Sequence, residues 1–84
     1  MLQSIHIGEF IRQELLAQQR PVTWLARKIN YDRSNLNKIL KCQHIHTELL
    51  YRISVALGED FFACYSQQLK EDLQEKEKVY IATN

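Results

Sequence analysis

The apolar residues of this chain fall into five short runs with helical spacing, separated by polar or turn-forming segments. Ile7, Phe10, Ile11 and Leu15 stand at i, i+3, i+4 and i+8, which predicts one buried face on a helix over 7–19. Arg20 and Pro21 mark the break before a second helix, over 22–29, that turns Val22, Leu25, Ala26 and Ile29 inward. A third, over 33–41, directs Leu36, Ile39 and Leu40 to the core. The fourth follows Thr47 as N-cap, buries Leu49 or Leu50 with Ile53, Ala56 and Leu57, and stops at Gly58. The fifth starts at Asp60 and closes the core with Phe61, Phe62, Tyr65 and Leu69. Two glycines and one proline leave few places for hairpins, so the expected fold is all-α, a compact bundle of about five helices.

Residues 22–41 predict a helix-turn-helix unit. Ala26 suits a steep helix crossing, because a large side chain there would push the helices apart. Asn30 stands where the chain must turn and tolerates the left-handed conformation. Asp32 is placed to cap the third helix by accepting a bond from a free backbone amide. With Leu36, Ile39 and Leu40 facing inward, the outer face carries Arg33, Ser34, Asn37, Lys38 and Lys41, with Asn35 at its border. These side chains suit a reader of double-stranded DNA: Arg and Lys meet phosphates and guanine, while Asn and Ser hydrogen-bond base edges. Thr23, at the start of the second helix, is a further candidate phosphate donor.

On the Leu25-Ala26 pair, Ile29, the polar run Asp32 to Asn35, Leu36 and the step Asn37-Lys38-Ile39, the chain resembles the Cro and phage-repressor type of helix-turn-helix, the XRE family. The resemblance covers most of residues 5–65 and implies a lambda-repressor-like fold whose third helix lies in the major groove. It then implies base or nearby backbone contacts for Arg33, Ser34, Asn37 and Lys38, with Asn35 as a further candidate. Three positions depart from the family pattern: Val22 replaces its usual Gln, Asn30 its common Gly, and Tyr31 a small aliphatic residue.

Charge sharpens this picture. The formal net charge is only +1, yet residues 12–41 carry seven cations against Glu14 and Asp32, while residues 59–84 carry three cations against six acids. A basic face that meets a polyanion and an acidic tail that stays clear of it would produce such an asymmetry. At 84 residues there is room for one domain, expected over 1–68, with 69–84 as a C-terminal helical extension whose thin stripe of Leu69, Leu73 and Tyr80 suggests a homodimer contact. Asp72 and Lys76 there are spaced to pair at i, i+4.

Other chemistry is sparse. Cys42, His44 and His46 are metal-ligand types, but so close a spacing rarely encloses one ion, so no metal and no cofactor is expected. By the resemblance, His44 or His46 would sit beside a phosphate. No nucleophile, base and acid converge by spacing, which argues against an enzyme. No run is long and apolar enough for a membrane span, and two cysteines without an apolar leader suggest a cytoplasmic setting. The leading expectation is thus a transcriptional regulator of repressor type. Its rival is a protein-interaction module, an antitoxin or adaptor, using the same fold to hold a protein partner.

Overall fold

The computed structural model describes the backbone of residues 5–83 and the side chains of residues 5–75. Five helices follow in order: α1 (Ile7–Ala17), α2 (Val22–Lys28), α3 (Arg33–Ile39), α4 (Thr47–Leu57) and α5 (Phe62–Thr83). No strand occurs among the described residues, so the chain is all-helical, as its pattern predicts. Ile7, Ile11 and Leu15 of α1, Leu25 of α2, Leu36 of α3, Leu49, Leu50, Ile53 and Leu57 of α4, and Phe61 form one buried core. Each such large side chain contributes on the order of 1.5–3 kcal/mol relative to an exposed one. α2 packs on both α3 and α4.

Helix ends explain why the predicted boundaries shift. Three of the first four helices close through a paired pattern in which one amide reaches three residues back and the next reaches five. After α1 these are Gln19 to Leu16 and Arg20 to Leu15; after α2, Asn30 to Arg27 and Tyr31 to Ala26; after α4, Gly58 to Val55 and Glu59 to Ser54. Each pair needs a left-handed residue, supplied by Gln19 (φ 58°), Asn30 (φ 55°) and Gly58 (φ 69°). Asn30 and Gly58 fill the expected role. Gln19, expected inside α1, instead ends it, and α1 stops at Ala17.

Several expectations are corrected. Phe10 lies 48% exposed rather than in the core, because α1 presses its Gly8 side onto the neighbouring chain. A Cβ at Gly8 would run into the carbonyl oxygens of Leu40 and Cys42, and the Ile7 amide donates to the Gln43 carbonyl at 3.2 Å. The rotation this imposes carries Phe10 outward. Thr47 is the first residue of α4 and not its cap; His46 Nδ1 accepts the Leu49 amide at 3.4 Å. Ala56 is half-buried, whereas Leu49 and Leu50 are both buried.

His6 serves α1 in the same way. Its Nδ1 accepts the Glu9 amide at 3.1 Å while Nε2 lies 3.2 Å from the Lys41 carbonyl, so one imidazole joins the start of α1 to the chain leaving α3. Gln18 performs the matching task at the other end of α1, donating to the Leu57 carbonyl at 2.9 Å. Asp60 accepts the amides of Phe62 and Ala63 and so opens α5. That helix continues unbroken past residues 68 and 69, and the extension is therefore a prolongation of a core helix. It draws the molecule out to 54 × 21 × 21 Å, with a radius of gyration of 15.9 Å. A compact chain of this length would have roughly 12 Å. Tyr65 and Leu69, expected to close the core, are instead 36% and 56% exposed, and Leu73 is 54% exposed. The side chains of Lys76 and Tyr80 lie outside the described residues.

Candidate nucleic-acid interface

α3 is short, and its orientation is held from both ends. Asp32 caps it, its carboxylate accepting the Asn35 amide at 2.9 Å, as its place before the helix predicts. Leu36 and Leu40 are buried and Ile39 packs beside them. The remaining side chains, Arg33, Ser34, Asn35, Asn37 and Lys38, are all exposed. At 3.6 residues per turn Ser34 and Lys38 stand opposite the buried stripe, with Arg33 and Asn37 on one flank and Asn35 on the other. Lys41 is exposed but lies beyond the end of α3 at Ile39, so it is not on the helix face where the sequence pattern put it. Leu40 caps the helix, and the turn that follows through Lys41 and Cys42 packs closely against Gly8 of α1.

Thr23 is half-buried on α2. It shares with Ala26, Arg27, Asn30, Tyr31 and Arg33 a shallow cleft of about 280 Å³ between α2 and α3. The structure thus places Thr23 and Arg33 on one cleft and adds Arg27 and Tyr31, which lie outside the α3 face. Arg27 was legible in principle, since it stands at i+4 from Thr23 on the same helix face.

The turn between the helices is tied from below. A guanidinium nitrogen of Arg52 donates to the Ile29 carbonyl and satisfies the C-terminal end of α2. Nothing in the sequence marks Arg52 for this task, because its partner lies 23 residues away.

Electrostatics separate the cations of residues 12–41 into two groups. The Arg20 guanidinium lies 3.9 Å from the centroid of the Trp24 ring, and the Lys28 ammonium 5.9 Å from it. Trp24 itself packs half-buried against the core. Arg12, Arg27, Arg33, Lys38 and Lys41 form no ion pair with any of the described residues. Their charge is therefore uncompensated at close range by any described residue.

No group of three metal-ligating side chains occurs among the described residues. His46 is occupied as a cap, and the exposed Cys42 thiol donates to the Lys38 carbonyl at 3.5 Å. Burial pushes the Cys64 thiol up from its ordinary value, with the nearby Asp60 acting in the same direction, so it stays protonated at neutral pH and behaves as a packed group. No helix among the described residues is long and apolar enough to cross a membrane. Comparison of the chain with protein-family models, with curated proteins and with solved structures finds no match.

Proposed function

We propose that this protein binds double-stranded DNA sequence-specifically through α3 and acts as a regulator of repressor type. The observation that carries the reading is the outer face of α3. Five successive non-core positions are exposed and polar, and its Arg33 and Lys38 are without a carboxylate partner among the described residues, while its apolar side is spent on the core. A helix built in this way offers donors and acceptors for base edges at Ser34, Asn35 and Asn37, and charge for phosphates at Lys38. Lys41, beyond the helix, adds charge but no base contact.

A homodimer fits the same reading, since one half-site of this size binds weakly and two reinforce each other. Its two α3 helices would stand about 34 Å apart, so the preferred site would be an inverted repeat with centres about ten base pairs apart. The alternative, a protein-interaction module, is favoured by one observation: Tyr51 and Val55 of α4 are 62% and 65% exposed, side by side at i, i+4.

Selection of bound sequences from random duplex pools, with affinity read at several salt concentrations, tests the reading. Affinity should fall steeply with salt, and Asn37→Ala should cost about 1–3 kcal/mol on the selected site while barely changing binding to random duplex. Equal losses on both duplexes would remove α3 as the reading helix.

A further inference from the structure

Three surface hollows compete for a role that the exposed face of α3 does not explain. The hollow beside Tyr51 and Val55 contains Lys28 and Arg52, but Arg52 already donates to the Ile29 carbonyl. The hollow along α5 is apolar and bordered by Asp72, which repels anions. The cleft between α2 and α3 differs from both. Arg27 and Arg33 line it from opposite helices, and neither pairs with an acid among the described residues. Thr23 and Tyr31 add hydroxyl groups to its wall. Asp32, the carboxylate nearest in sequence, is not part of the lining and is engaged with the Asn35 amide.

Two arginines lining one open cleft make it a candidate anion site, and the fork geometry of guanidinium groups suits phosphoryl oxygens. Resting on the reading of α3 as a DNA-binding helix, we propose that this cleft clamps a single phosphate of the DNA backbone between Arg27 and Arg33. Arg33 is then a positioning residue and not a base reader. Its place on the α2-facing flank of α3 agrees, because Ser34 and Lys38 stand further out. The clamp also gives the turn a purpose. The left-handed Asn30 and the Arg52 bond to the Ile29 carbonyl hold α2 and α3 in the relation that brings the two arginines together.

Salt dependence discriminates a shared phosphate from separate contacts. Each neutralised phosphate contributes about 0.9 to the slope of log affinity against log salt. The double variant should therefore lower the slope of the intact protein by about one in total, and Arg27→Ala or Arg33→Ala alone by no more than that. Their losses should be equal on selected and random duplexes. Both arginine side chains are exposed, and circular dichroism would verify that the variants stay folded. A double variant that loses about two units of slope would overturn the clamp. So would an Arg33→Ala variant that relaxes base preference at one position, for that is the mark of a base contact. Inorganic phosphate provides an independent probe: it should move the NMR signals of Thr23, Arg27, Tyr31 and Arg33, and no movement there counts against the site. If phosphate moves those signals while no duplex binds at low salt, the DNA reading and the backbone source both fail, leaving a site for free phosphate.

Discussion

At the scale of single residues, much of this fold depends on side chains that terminate helices. Asp32 is the simplest case, one carboxylate on one amide. Asp32→Ala should lower stability by about 1 kcal/mol, within the usual range for a lost cap, and urea denaturation would measure it. Unchanged stability would mean that α3 is held by Leu36 and Leu40 alone. Gly8 is a stronger constraint. Its space is taken by the backbone carbonyls of Leu40 and Cys42, which are not the yielding ends of flexible side chains. Gly8→Ala must displace α1 or the turn after α3 and should cost on the order of 1–3 kcal/mol, well beyond the small gain in helix propensity. A thermal midpoint at or above the parent's would show that the close approach does not exist in solution.

At the scale of elements, α2 and α3 form a pair whose contact tolerates little extra volume. Ala26 is 4% exposed, and its carbonyl accepts the closing bond from the Tyr31 amide at 2.8 Å. Ala26→Leu adds methylenes where α2 packs, and should lower stability by about 1–3 kcal/mol and, on the proposed reading, weaken DNA binding as a consequence. Thermal unfolding of the variant checks this, and a parent-like midpoint would place Ala26 away from any tight contact. The α3 helix illustrates what spacing can and cannot reveal. Its cap, its buried Leu36 and Leu40 and its exposed polar face follow from residue type and period. Its end does not: Lys41 was expected on the same face, but the turn that follows Ile39 belongs to the contact with α1.

On the scale of the whole molecule, α5 sets the shape. It leaves the core after Phe61 and Phe62 and carries Leu69 and Leu73, each more than half exposed, along a helix that reaches Thr83. If that stripe joins two copies, Leu73→Glu should convert a dimer to a folded monomer and weaken binding to an inverted repeat. The same change should leave the five-helix core intact, because Leu73 is 54% exposed and lies outside the buried core. Sedimentation at tens of micromolar, roughly where a weak interface is still populated, is the measurement. Parent and variant sedimenting alike as monomers would exclude α5 as an interface.

Period and punctuation by themselves determined the number and order of helices, the inward stripes of α2, α3 and α4, the left-handed turns at Asn30 and Gly58, and the polar face of α3. These are local properties: a face repeats every 3.6 residues, and a cap or turn acts within five. Only the tertiary structure decided what depends on distant partners. Examples are the rotation of α1 that exposes Phe10, the bonds from His6 and Gln18 to chain 35 and 39 residues away, the Arg52 tie beneath the turn, and the cleft that Arg27 and Arg33 both line. Residue type alone could nominate each of those side chains for several tasks, and the packing of the helices selects one.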